Sequence, residues 1–126
     1  MVLTINGNDY EIRFGIGFVR ELDEKFFVEN NSGAKFGAGL ETKIPMLLTK
    51  DVVTLSDFIY MGTYADAKRP TQKEVDDYID QTEDLEALFD EVAEELKKHN
   101  ATRQRMKEYG TALKIQEKIL EAAAKK

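Results

Sequence analysis

The tightest constraint on this chain is the tandem of capped helical patterns between residues 69 and 98, RPTQKEVDDYIDQTEDLEALFDEVAEELKK. Arg69-Pro70 ends whatever precedes it, because the residue before a proline is pushed out of the α region. Thr71 and Glu74 then have capping-box spacing, and Val75, Tyr78 and Ile79 make a short apolar stripe behind them. Thr82 is the next expected cap, with Glu83 and Asp84 where the positive end of a helix favours carboxylates. Leu85, Leu88, Phe89, Val92 and Leu96 follow at i, i+3, i+4, i+7 and i+11. Lys97, Lys98 and His99 stand at the negative end, and Asn100 is the expected stop.

The start of the chain has the period of strands instead. In VLTINGNDYEIRF, Asn6-Gly7 suits a two-residue type I′ turn, since both positions need positive φ. That turn pairs Ile5 with Asn8, Leu3 with Tyr10 and Met1 with Ile12. Met1, Leu3, Ile5, Tyr10, Ile12 and Phe14 then share one face, and Val2, Thr4, Asp9, Glu11 and Arg13 share the other. A lone hairpin is marginal, so its apolar face must rest on helices or on another subunit.

Between these two segments the spacing predicts three more helices. The first covers about residues 16–27, with Phe18, Val19, Leu22 and Phe26 as the natural cover for the hairpin. Residues 29–33 read as a loop. A second helix over about 38–49 buries Leu40, Ile44, Leu47 and Leu48, and Pro45 should start a new turn or kink it. Thr54 and Asp57 have capping-box spacing for a third, running to about residue 65. Tyr60 and Tyr64 lie one turn apart on it, either as a binding pair or as caps on a core. Gly33, Gly37 and Gly39 do not make a phosphate loop, because Leu40 and Glu41 follow where Lys and Ser or Thr are required. Close helix packing or a flexible connection explains these glycines better.

Residues 99–126 are helical by propensity but different in character. Met106, Tyr109, Leu113 and Leu120 form one line, with Ala112, Ile119 and Ala123 beside it and Ile115 and Ala122 flanking those. The apolar arc covers roughly half the circumference, wider than a simple surface helix needs. Gly110 in its interior costs about 1 kcal/mol relative to Ala and invites a bend. Such a helix either docks fully on its own domain or waits for a partner.

Charge sharpens this contrast. Residues 71–98 carry 3 basic and 11 acidic side chains, whereas residues 99–126 carry 7 basic and 3 acidic. The acidic block repels phosphate, and the basic end can attract an acidic protein surface, that block included. Both are also what solvated helix faces look like. The chain has no cysteine, which excludes disulfides and thiolate metal sites. No stretch approaches the roughly 20 apolar residues of a membrane span, and no secretory signal opens the chain. His99 reads as a helix-end cation, and no Ser-His-Asp set can be assigned. Asp76, Asp77, Asp80, Glu83 and Asp84 lack the central glycine and loop of a calcium-binding EF-hand. No metal, cofactor or catalytic residue is expected.

Taken in order, four blocks resemble the tail assembly chaperones of long-tailed phages (siphoviruses) and Gram-positive prophages. They are INGNDYEIRFGIGFVRELDEKF, GLETKIPMLL, DVVTLSDFIYMGTYADAKRPTQKEVDDYID and DLEALFDEVAEELKK. Each alone is an ordinary amphipathic pattern. Their order and spacing, with the Lys-Arg-Pro-x-x-x-x-Val-x-Asp-Tyr-Ile run, make the match specific from about residue 4 to residue 98. Residues 99–126 carry no recognised shared motif.

The resemblance implies a non-enzymatic scaffold acting in the host cytoplasm during virion assembly and absent from the mature particle. Such proteins coat the tape measure protein, keep it soluble and help tail tube subunits polymerise around it. They are typically made in a short form and a frameshift-extended form whose added domain recruits the tail tube protein. Ala124-Lys125-Lys126 is compatible with a slippery codon run, which the gene sequence would settle. Two other classes stay open: a DNA-binding regulator with a helix-turn-helix-like pair joined at Gln81-Thr82, and a generic oligomeric adaptor. Glu86, Asp90, Glu91, Glu94 and Glu95 argue against the first by phosphate repulsion.

The expected fold is α+β, an N-terminal β-hairpin packed on a mainly α-helical body of about five or six helices. Residues 1–98 are expected to form the chaperone-like domain, and residues 99–126 a basic amphipathic helix for oligomerisation or partner binding. Met106, Tyr109, Leu113, Ile115, Ile119 and Leu120 are its candidate contacts. Self-association is expected from the hairpin edges and this helix, with no nucleic acid or membrane partner.

Overall fold

The structure is a computed structural model that describes residues 1–124. Lys125 and Lys126, on which the slippery-codon expectation partly rests, lie outside the described residues. The architecture is α+β. Strands β1 (Val2–Ile5) and β2 (Asn8–Glu11) form the N-terminal hairpin, followed by helix α1 (Ile16–Lys25). A second short hairpin, β3 (Phe27–Glu29) with β4 (Lys35–Gly37), precedes α2 (Gly39–Leu48) and α3 (Val52–Met61). Helices α4 (Gln72–Gln81), α5 (Leu85–Lys98) and α6 (Asn100–Ala124) complete the described chain.

The first hairpin has the register its turn dictates. Asn6 and Gly7 take φ of 50° and 79°, Leu3 pairs with Tyr10, and Ile5 pairs with Asn8. Leu3, Ile5, Tyr10, Ile12 and Phe14 are all buried on one side. Its cover differs from the expectation. The hairpin rests on α4 and on the end of α3, where the Arg13 amide donates to the Gly62 carbonyl at 2.8 Å. Helix α1 packs instead on α2 and α3. Phe14 links it to the hairpin: its ring meets Phe18 edge-on at 4.9 Å, and Phe18 meets Phe58 at 5.1 Å. One apolar core joins these rings to Leu22, Ile44, Leu55, Val75, Val92 and Leu96.

Two caps are displaced from their expected positions. Asp51, not Thr54, caps α3, accepting from the Thr54 amide at 3.1 Å and from its hydroxyl at 2.5 Å. Asp84, not Thr82, caps α5 by accepting from the Ala87 amide at 3.0 Å. In both, a carboxylate near an expected hydroxyl cap takes the position, and carboxylates cap as well as hydroxyls do. The Thr71–Glu74 capping box stands as expected.

Helix α2 runs on through Pro45. It ends with Lys50 at φ 66°, while the Lys50 amide donates to Leu47 and the Asp51 amide to Met46 at 2.9 and 3.0 Å. That double closure is a left-handed helix stop, and it turns the chain directly into α3. Of residues 29–33, expected to be a loop, Glu29 ends β3 and residues 30–33 enter the turn of the second hairpin, where Asn30 Oδ1 accepts from the Ser32 and Ala34 amides at 3.0 Å each.

Helices α5 and α6 meet at a sharp junction. Thr102 is buried there, and its hydroxyl donates to the Leu96 carbonyl at 2.6 Å. Thus α6, which starts beyond residue 98, contributes Thr102 and Met106 to the core.

Candidate functional site

The expected contact residues on α6 fall into three settings. Met106 is only 2% exposed and belongs to the core. Tyr109 and Leu113 are half-buried and, with Pro45, Leu48 and Thr49 of the α2 end, line a groove of about 180 Å³. Ile115, Ile119 and Leu120 are 55%, 63% and 62% exposed. The cause is the course of α6. Arg105 bonds Glu41 at 2.7 Å, and Tyr109 and Leu113 then follow Pro45 and Leu48, so α6 runs parallel to α2. Helix α2 stops at Leu48, whereas every described residue from Lys114 to Ala124 is exposed. At 1.5 Å per residue this is about 16 Å of helix with an uncovered apolar side.

The wide apolar arc therefore has two parts. Met106, Tyr109, Leu113 and Leu120 follow the line that faces α2 and α5. Ile115 and Ile119 lie more than about 100° around the helix, with Ala122 beside them. Lys118 borders that second strip, whereas Lys114, about 100° from Ile115, lies beside Glu121.

A second surface with exposed apolar side chains begins just after the α2–α3 turn. A cleft of about 360 Å³ between α3 and α4 exposes Val52 and Val53 and is also lined by Lys25, Asp57, Asp76, Ile79 and Asp80. Lys25 pairs with Asp57 at 3.2 Å, and Ser56 donates to Asp76 while Gln72 donates to Ser56 at 2.8 Å. Asp80 and Asp76 have no ion-pair partner among the described residues. The cleft therefore combines exposed valines with three carboxylates and the Lys25 ammonium.

The second hairpin adds a further exposed apolar patch, Phe27, Val28 and Phe36, with the Lys35 ammonium 4.7 Å from the Phe27 ring centroid. Sequence reasoning passed over it. The usable signal is a pair of short runs rich in aromatic residues, FFV and KF, on either side of Asn30-Asn31-Ser32-Gly33.

Other polar features have structural explanations. A cleft of about 510 Å³ between the β1–β2 turn and α4 is lined by Thr4, Asn6, Glu74, Asp77 and Tyr78. The Thr71 amide and the Asn6 side chain hold the Glu74 carboxyl below its usual range, while burial pushes the Tyr78 hydroxyl up. His99 Nδ1 lies 2.7 Å from the Glu95 carbonyl at the end of α5, and its ring meets Phe14 edge-on at 6.0 Å. Tyr60 and Tyr64 pack against the core, and the Tyr64 ring fills the space a Cβ would need at Gly17. Among the described residues no group of three or more His, Asp or Glu side chains is placed to hold a metal ion. No helix among them is long and apolar enough to cross a membrane. The outer side of α5 exposes Glu86, Asp90, Glu91 and Glu94, a poor surface for phosphate.

The molecule thus offers an unpartnered apolar helix end, a cleft lined by valines and carboxylates and an exposed short hairpin, all suited to protein contacts. Residues 2–110 match a family model described as phage tail assembly chaperone protein, TAC. The match spans the N-terminal hairpin through the first half of α6. No curated protein and no solved structure matches the chain.

Proposed function

This chain belongs to the phage tail assembly chaperone family, and from that premise we propose that it is a non-enzymatic chaperone that coats and solubilises the tape measure protein. The reading extends to tail tube subunits, whose polymerisation around the coated chain it promotes. It places the protein in the host cytoplasm during assembly and outside the mature virion.

The observation that carries the reading is the exposed end of α6, where Ile115, Ile119 and Leu120 continue past the last covering residue of α2. A long helix-rich client with apolar stripes aggregates through those stripes. An amphipathic helix beside the Tyr109–Leu113 groove can cover them by helix-in-groove packing. The acidic outer faces of α4 and α5 then keep the coated complex dispersed by like-charge repulsion.

Co-expression with the tape measure protein tests this directly. The soluble fraction of the client should rise several-fold with this chain and fall back with Ile115→Asp/Ile119→Asp. A client equally soluble with and without the chain overturns the reading.

A further inference from the structure

We propose that Asn6 is a site of spontaneous deamidation and that Glu74 governs how fast it reacts. Asn6 is the only one of the five asparagines that is followed by glycine. Glycine has no Cβ to crowd its own peptide nitrogen, so that nitrogen can reach the carbon of the preceding side-chain amide. The other four asparagines precede Asp9, Asn31, Ser32 and Ala101, whose side chains hinder the same approach. Asn6 and Gly7 are both exposed at the tip of the first hairpin, and the Gly7 amide donates no hydrogen bond among the described residues.

The step needs no reagent but water. The Gly7 nitrogen gives up its proton and attacks Asn6 Cγ. A C–N bond forms, the bond from Cγ to Nδ2 breaks, and Nδ2 leaves as ammonia with that proton. Water then opens the cyclic imide at one carbonyl or the other, leaving aspartate or isoaspartate at position 6.

The fold sets the rate. Asn6 Nδ2, the atom that must leave, donates to Glu74 Oε2 at 2.6 Å, and the turn holds Asn6 and Gly7 at φ of 50° and 79°. Glu74 is fixed in turn by the Thr71 amide, which donates to Oε1 at 3.0 Å. Ring closure swings Cγ onto the Gly7 nitrogen and takes the side-chain amide off Glu74. Reaction therefore runs through the fraction of molecules in which this contact has opened. Afterwards the contact cannot reform, because a carboxylate stands where a donor stood and faces the like charge of Glu74. Isoaspartate also routes the main chain through Cβ, and the lengthened turn no longer suits the two-residue geometry that sets Leu3 opposite Tyr10. The hairpin tip is thus a one-way timer on its own tie to α4.

Peptide mapping of the full chain, incubated folded at neutral pH, tests this. Arg13 is the first basic residue, so trypsin releases residues 1–13 as one peptide, and fragmentation separates Asn6 from Asn8. Glu74→Ala should accumulate aspartate and isoaspartate at position 6 several-fold faster than wild type. Glu74→Gln, which keeps an accepting oxygen, should stay near the wild-type rate. Thr71→Ala loosens the α4 cap but leaves the Asn6–Glu74 contact, so it too should stay slow. In denaturing urea all four chains should react at one common rate, faster than folded wild type. Equal folded rates for wild type and Glu74→Ala, or a Thr71→Ala as fast as Glu74→Ala, overturn the control by Glu74. Modification that falls first on another asparagine overturns the site.

Discussion

Arg69 clasps Glu21 through two hydrogen bonds, Nη1 to Oε1 at 2.6 Å and Nη2 to Oε2 at 2.8 Å. The same guanidinium donates from Nε to the Thr63 hydroxyl at 3.2 Å and from Nη2 to the Tyr60 carbonyl at 3.0 Å. It also lies 4.5 Å from the Tyr60 ring centroid. One side chain therefore fastens α1 to the end of α3 and to the segment leading into α4. Lysine has neither the planar fork nor enough donors for these contacts. Both side chains are about a quarter exposed, 26% and 28%, so solvent discounts the ion pair. Arg69→Ala should cost about 2–3 kcal/mol and Arg69→Lys about 1 kcal/mol in urea unfolding. Equal stability of Arg69→Lys and wild type would remove the fork geometry from this account.

Glu74 makes the fold sensitive to acid at one identifiable place. Its carboxylate accepts from the Thr71 amide at 3.0 Å and from Asn6 Nδ2 at 2.6 Å, tying the α4 cap to the turn of the first hairpin. The Thr71 amide, then Asn6 and the Thr71 side chain, hold its pKa below the ordinary 4.5. A folded-state value below the unfolded one means the contribution is complete above pH 4.5 and fades as pH falls through the lower folded value. Glu74→Gln keeps an acceptor but cannot titrate. The stability gap between wild type and Glu74→Gln should therefore shrink on acidification below pH 4.5. Urea midpoints compared across that range check it, and a constant gap overturns it.

What could be read from sequence divides by the range of the interaction. The first hairpin was legible because Asn6-Gly7 and the alternation around it are local. The α4 capping box was legible for the same reason. The caps of α3 and α5 slipped by three and two residues, since Asp51 and Thr54, or Thr82 and Asp84, satisfy the same local rule. Strands β3 and β4 are three residues each, too short for a periodic signal. Arg69 announced only a helix break, because its partner Glu21 lies 48 residues away in the chain. On α6 the apolar arc was visible, but its division into core and uncovered strips depends on where α2 stops.

Two glycines should answer alanine substitution with opposite signs. A Cβ on Gly39 would stand 2.6 Å from Leu22 Cγ and 3.0 Å from the Leu22 backbone carbonyl carbon. The Gly39 amide also donates to Asp23 Oδ1 at 2.9 Å, so α1 cannot retreat without losing that bond. Gly39→Ala should destabilise by about 1–3 kcal/mol, as overpacking does. A Cβ on Gly110 meets nothing within 4 Å, and the position is helical. Gly110→Ala should raise stability by about 0.5–1 kcal/mol through helix propensity. Thermal or urea unfolding of the pair gives the comparison, and two changes of the same sign would contradict it.

Met106 and Ile119 lie on the same helix and should separate stability from partner binding. Met106 is buried where α6 crosses the core, so Met106→Ala leaves a cavity and should cost about 2–4 kcal/mol. Ile119 is 63% exposed beyond the end of α2, so Ile119→Ala should stay within about 0.5 kcal/mol of wild type. Binding should rank them the other way. At a temperature where both remain folded, Met106→Ala should keep its client solubilisation, whereas Ile119→Asp should lose it with its unfolding midpoint unchanged. A large stability loss from Ile119→Ala would mean that the end of α6 is covered by its own chain. No free strip would then remain for a client to bind.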